Sequence, residues 1–134
     1  MTAWKKLHTR KVLDHARLQL VEDDVILPDG TKSTYLRAVN TKDFVTVIAR
    51  KGGKIAMVYD YSYPNDMRLL QFPEGEIEEG EGCAEAAKRE LQEEAGLIAA
   101  NVYELGESLE NHRRSTARGH IMLANGIAHG LAAP

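Results

Sequence analysis

The chain of 134 residues has little of what would place it outside the ordinary globular class. Its single cysteine, Cys83, leaves no internal disulfide framework and suits a reducing compartment, so the cytoplasm is the expected location. No apolar run approaches the length of a membrane span. Lys5, Lys6 and Arg10 near the start are not followed by an apolar core, so neither a signal peptide nor a transmembrane helix is expected. Internal repeats and low-complexity tracts are lacking too. What remains is 43% hydrophobic and 28% charged, with Val, Ile and Leu in clusters able to bury a core, and the length suits one domain rather than two.

The formal net charge of −3 conceals an uneven distribution. Residues 74–94 hold nine Glu against Lys88 and Arg89, a local charge of −7, while the remainder of the chain carries +4. A nucleic-acid polymer would not approach such a segment unaided. Either it is a solvated surface or a cation sits there.

Residues 18–39 predict a hairpin: Leu18, Leu20, Val25 and Leu27 alternate loosely around Asp23-Asp24, and Pro28-Asp29-Gly30 carries turn chemistry. A second hairpin is expected from Phe44–Ala49 and Ile55–Tyr59 around Gly52-Gly53. Tyr61, Tyr63 and Pro64 follow, then Asn65-Asp66 and the short apolar stretch Leu69–Phe72 stopped by Pro73. Cys83–Ala95 predicts a helix ended by Gly96. Val102–Leu105 and Ile121–Ala124 are expected strands around a basic loop, Asn111–Gly119, and the tail 126–134 is weakly patterned. Strands around one helix imply an α+β domain with a mixed or antiparallel sheet.

At 100° per residue, Glu90, Glu93 and Glu94 fall within about 100° of one another on the helix. Ala84, Ala87, Leu91 and Ala95 form the expected core stripe, and Arg89 flanks the acidic face within reach of Glu85 and Glu93. Carboxylates at i and i+4 repel by roughly 0.2–0.5 kcal/mol per pair. A hard dication reverses that sign, since it binds oxygen ligands. A solvated acidic helix is the plainer reading. Against it, the carboxylates adjoin the core stripe, and a loop containing Gly75, Gly80 and Gly82 leads into the helix.

The nine positions Gly75, Glu81, Arg89, Glu90, Leu91, Glu93, Glu94, Gly96 and Leu97 resemble the Nudix box at every constrained position. The resemblance implies a Nudix-like α/β/α sandwich with a mixed sheet. It would be a single domain over 1–134, with an N-terminal β-hairpin extension over 1–40 that would serve dimerisation, and a core over 41–134. It also implies hydrolysis of a nucleoside diphosphate linked to a group X, with Mg²⁺ or Mn²⁺ as cofactor. In that scheme Glu90 and Glu94 are the main metal ligands, with Glu93 a further ligand or base and the backbone carbonyl of Glu74 another ligand. Arg89 orients the glutamates, Gly75 permits a tight turn, Glu81 holds the loop against the helix, and Gly96 closes it.

Upstream, Leu27-Pro28-Asp29-Gly30, the Phe44–Tyr59 hairpin, Tyr61-Ser62-Tyr63-Pro64 and Phe72-Pro73 are similar to the ADP-ribose and nucleotide-sugar pyrophosphatase branch, whose members are usually homodimers. The chain departs from the branch at three places. It has Asp60-Tyr61-Ser62 where the branch often has Gln-Tyr-Arg, Gln71-Phe72-Pro73-Glu74-Gly75 where the branch has Glu-x-Pro-Ala-Gly, and Asn111-His112-Arg113 where a proline is expected. The C-terminal elements of the branch, with a loop glutamate acting as base, look short or missing: either the chain is a shortened form, or a partner chain completes the sheet, or Glu93 or Glu110 supplies the base. Tyr61 and Tyr63 could stack on a base or, sharing a strand face, pack in the core. Arg113, Arg114 and Arg118 could bind a terminal phosphate or form a solvated loop. His112 and His120 have no metal-ligand spacing with a Cys or another His, and Cys83 reads as a packing residue. Hydrolysis of a nucleotide sugar such as ADP-ribose is the leading expectation. A nucleoside triphosphate pyrophosphohydrolase and a non-catalytic nucleotide-binding module are the alternatives.

Overall fold

Alternation along residues 18–39 becomes an antiparallel pair, and a third strand joins it. The computed structural model describes residues 3–130, which divide into two compact bodies: the residues up to Thr41 together with Leu109–Ala117, and Lys42–Ser108 together with the residues from Arg118 onward. The first body is a three-stranded sheet in the order β1 (Lys5–His15), β2 (Leu18–Ile26), β3 (Lys32–Val39). The expected turn closes β2 on β3. Gly30 adopts φ 86°, its N–H donates to the Leu27 carbonyl at 2.9 Å, and Asp29 Oδ1 accepts from the Thr31 N–H at 2.9 Å.

β1 was not anticipated, because its side chains are nearly all exposed and its pairing with β2 slips twice, between Lys6 and His8 and between Lys11 and Leu13. Polar partners fix it instead: Arg10 pairs with Glu22 and Asp24 on β2. Asp23, which reads in sequence as an interruption, lies on the buried face between Val21 and Val25. Thr9 donates to its Oδ1 at 2.6 Å and Arg37 to its Oδ2 at 2.6 Å, which satisfies a carboxylate left only 5% exposed.

In the second body β4 (Phe44–Lys51) runs into Gly52 and Gly53 at φ 55° and 75°, a two-residue turn that needs both glycines. The returning strand β5 is only Lys54-Ile55. The expected run Ile55–Tyr59 is therefore broken, and its second half opens β6 (Val58–Ser62), which pairs with β7 (Met67–Gln71) around Asp66 at φ 48°. β8 (Glu74–Glu76) and β5 pair with successive stretches of β4, and β10 (Arg118–His129) runs parallel to it, Gly119 facing Phe44 through Ala124 facing Ala49. β9 (Leu97–Leu109) lies beyond β10, giving the mixed sheet expected. Both β9 and β10 outrun the strands expected, and β10 takes in Arg118 and Gly119 of the loop and much of the tail. The last four residues lie outside those described.

α1 (Cys83–Ala95) is the single helix among the described residues, with the bounds read from the sequence. Its buried face differs from the stripe expected. Ala86, Ala87, Glu90 and Leu91 are buried, Ala95 is half-buried and Ala84 is exposed, so the core-facing direction runs through Glu90. Ala86, Ala87 and Leu91 close against Val45, Val47, Ala49, Ala99, Met122 and Ala124 of the sheet. So many alanines let helix and sheet approach closely, which brings β8 up to the helix surface.

Candidate active site at the loop and helix

Gly75 and Glu90 set the geometry of the site. Gly75 faces Val45 across the ladder in β8, and a Cβ built there would collide with the Glu90 carboxylate. The glycine is required for space and not for a turn. Glu90 thereby reaches inward from a helix position 8% exposed, with its Oε1 accepting a 2.7 Å hydrogen bond from Arg89. Glu94, one turn on, accepts from the Glu74 backbone N–H at 3.1 Å, which ties the last turn of α1 to β8. Glu93 is exposed and meets Arg89 at 3.3 Å.

Arg89 is the hub. Its Nε and Nη2 donate to the two oxygens of Glu81 at 2.8 and 2.9 Å, and Nη2 also donates to the Glu76 carbonyl at 2.9 Å. Of the two helix neighbours within its reach, Glu93 meets it, while the far side of the guanidinium is taken by Glu81 instead of Glu85. Glu81 also accepts from the Glu78 N–H at 3.1 Å, closing the loop on itself. Arg89 holds the Glu81 carboxyl below the usual range, and Glu81 and Glu90 raise Arg89 in turn. Glu94 moves the other way: desolvation raises it above the usual carboxylate range, and the charges of Glu90, Asp60 and Glu74 add to the shift. At the end of the helix Gly96, at φ 66°, donates back to the Gln92 and Leu91 carbonyls.

Beside these carboxylates opens a cleft of about 350 Å³ lined by Lys42, Phe44, Asp60, Gln71, Glu74, Gly75, Glu76 and Glu94. Four carboxylates and one ammonium make it a cation-attracting space, and Lys42 is already 3.7 Å from Glu76. Asp60, Gln71 and Glu74, three of the positions where the chain departs from the branch pattern, all line it. Tyr61 and Tyr63 do not pack in the core: they are 52% and 84% exposed, and Tyr61 donates to Asp66 at 2.5 Å. β6 stops at Ser62, so the pair does not share a strand face.

The three arginines are divided. Arg113 and Arg114 belong to the first body, where Tyr35 donates to the Arg113 carbonyl and the Arg114 guanidinium stands 5.0 Å over the Tyr35 ring. Arg118 belongs to the second and pairs with Glu107 at 3.0 Å. Spacing along the chain also missed a convergence, since the fold brings Cys83, Glu104 and His120 together.

Comparison with known proteins places this geometry. An ADP-ribose pyrophosphatase of Bacillus subtilis (strain 168) is 33% identical over 127 residues, 94% of this chain and 65% of that protein. A methanol dehydrogenase activator of Bacillus methanolicus is 36% identical over 93 residues, 69% of this chain and 50% of that protein. The chain thus spans between half and two thirds of the length of these relatives. The fold matches a crystal structure of an ADP compounds hydrolase with a TM-score of 0.93, at 21% identity, over 99% of this chain and 73% of that one. Residues 39–125, which include the loop, the helix and the sheet around them, match the NUDIX domain, and the chain belongs to that family.

Proposed function

We propose that the chain hydrolyses the pyrophosphate bond of a nucleoside diphosphate linked to X, with ADP-ribose or another nucleotide sugar as substrate, giving a nucleoside monophosphate and a sugar phosphate. The observation that carries this reading is the carboxylate of Glu90, turned inward over a glycine and backed by Glu93 and Glu94 beside an acidic cleft. The names of the pyrophosphatase relative and the structural neighbour support the substrate class.

An anionic pyrophosphate entering a cleft of four carboxylates needs cations between them, and the donor set suits Mg²⁺ or Mn²⁺. It is all oxygen, and space for Glu90 is kept open by the missing Cβ at Gly75. Glu90, Glu93 and Glu94 would hold the ions, with the Glu74 carbonyl beside them. Bound there, such ions neutralise phosphate charge and lower the pKa of a water. The chain's own residues do the positioning. Arg89 fixes Glu90 and Glu93 by direct hydrogen bonds, and Glu81 fixes Arg89. Glu74 anchors Glu94 through its N–H. Glu93, exposed at the helix surface, would serve as a further ligand or as the base that takes a proton from water. Tyr61 and Tyr63 are assigned to base binding and Arg118 to phosphate binding.

The chain acts as a cytoplasmic homodimer in this reading. The one cysteine and the exposed Trp4, Leu7, Val12 and Leu13 of the first body support it. No helix among the described residues is long and apolar enough to cross a membrane.

A panel of nucleotide sugars and nucleoside triphosphates with Mg²⁺, scored by product mass, tests the assignment. AMP plus a sugar phosphate from ADP-ribose is the expected result, and Glu93→Gln and Glu94→Gln should each lower turnover by at least roughly a hundredfold. Pyrophosphate release from triphosphates alone would reassign the substrate. Tight binding without turnover would make the chain a non-catalytic module.

A further inference from the structure

Cys83 opens α1, and the fold sets it against two side chains distant in sequence. Cys83, Glu104 of β9 and His120 of β10 each offer one ligand-type atom, and these atoms all lie within 4.8 Å of one another. His120 is only 8% exposed, yet both its nitrogens face acids. Nδ1 meets the Glu104 carboxylate and lies 3.8 Å from Glu107 Oε1, while Nε2 lies 3.5 Å from Asp43 Oδ2. Arg118 braces the outer carboxylates, its backbone N–H donating to Asp43 Oδ1 at 3.0 Å and its guanidinium to Glu107 at 3.0 Å.

This donor set is chemically unlike the one at the other end of the helix. Glu90, Glu93 and Glu94 offer hard oxygens. Cys83, His120 and Glu104 offer a sulfur, an imidazole nitrogen and a carboxylate oxygen, the combination that selects borderline-soft dications. Metal bonds of about 2.0–2.3 Å place tetrahedral ligand atoms roughly 3–4 Å apart, so the observed spacing needs only side-chain adjustment to close on an ion. Asp43 stands where a carboxylate holds the second nitrogen of a ligating histidine, and Glu107 or a water can complete the coordination. Glu90 lies seven positions after Cys83, about 10 Å along the helix axis, so the two donor sets do not share an ion.

We propose that Cys83, Glu104 and His120 form a site for a transition-metal dication of the zinc type, which pins the first turn of α1 to β9 and β10. Burial, then Glu104 and Asp43, hold the Cys83 thiol in its protonated form, and the Glu104 hydrogen bond favours a protonated His120. A bound dication takes the place of both protons. The proposal does not depend on the hydrolase reading, because its ligands and its ion differ from those of the acidic cleft.

The metal-free full chain, titrated with Co²⁺, tests it. One equivalent should produce a thiolate-to-cobalt charge-transfer band that Zn²⁺ bleaches and Mg²⁺ does not. The oxygen set cannot generate that band, so it should persist in Glu94→Gln and vanish in Cys83→Ser. Glu104→Gln, a conservative change at an exposed residue, should weaken Co²⁺ binding about tenfold or more. Because Cys83 is the only cysteine, alkylation of the unmodified chain is a readout that needs no variant: stoichiometric Zn²⁺ should slow it about tenfold and Mg²⁺ should leave it unchanged. An absent band, or alkylation indifferent to Zn²⁺, overturns the proposal.

Discussion

A methyl group at position 75 would occupy the space of the Glu90 carboxylate, and that single fact constrains two elements at once. Gly75→Ala should leave the fold standing, at a cost of about 1–3 kcal/mol for the extra atom. It should also displace Glu90 and lower turnover by roughly a hundredfold, since misplacement near 1 Å costs about that much. Thermal melting and activity measured on the same preparation check both halves. Asp23 makes a similar case in the first body. Thr9 and Arg37 hold its carboxyl below the ordinary Asp range, Arg37 contributing most. A depressed carboxyl contributes stability that is present above its unfolded-state value and lost as pH falls through the folded value, so the loss should set in below about pH 4. Asp23→Asn should remove about 1–3 kcal/mol at neutral pH and flatten that acid limb in denaturant titrations followed against pH.

At the level of elements, α1 depends on Leu91, fully buried among Val45, Val47 and Met122. Leu91→Ala should cost about 2–5 kcal/mol, read from urea unfolding as a lower midpoint with an unchanged slope. The helix was legible in sequence because its signals agree: an apolar period, a glycine at its end, carboxylates at fixed spacing. β1 was not legible. A strand paired through bulges, with nearly every side chain in solvent, leaves no alternation to read. The break at Ala56-Met57 was hidden for the opposite reason, since an unbroken apolar run gives no sign that the chain changes sheets there. The burial of Asp23 leaves no mark in the sequence, because a buried carboxylate looks like a solvated one until Thr9 and Arg37 are placed beside it. Within the site, the residues of the box follow from local spacing. The meeting of Cys83 with His120 depends on β10 running parallel to β4 under the helix, a long-range pairing that no local pattern encodes.

For the molecule as a whole, the uneven charge has a structural counterpart: most of the acidic residues of 74–94 meet at one cleft and one arginine, while much of the basic excess lies elsewhere. The apolar side chains left in solvent on the first body predict self-association. Light scattering coupled to gel filtration should report twice the chain mass, and Leu7→Asp with Val12→Asp should return the monomer without unfolding the three-stranded sheet.

The last turn of α1 holds acidic residues and no basic one. The carbonyl end of a helix carries roughly half a negative charge, so Glu93 and Glu94 stand where the peptide dipoles oppose them. Arg89 offsets this at Glu93 and the Glu74 N–H at Glu94, each for one carboxylate only. A dication bound there relieves carboxylates and dipole together. If the proposed ions bind there, folding of this end of the molecule and loading of the metal would be one equilibrium, and divalent ions would raise the stability of the helix end.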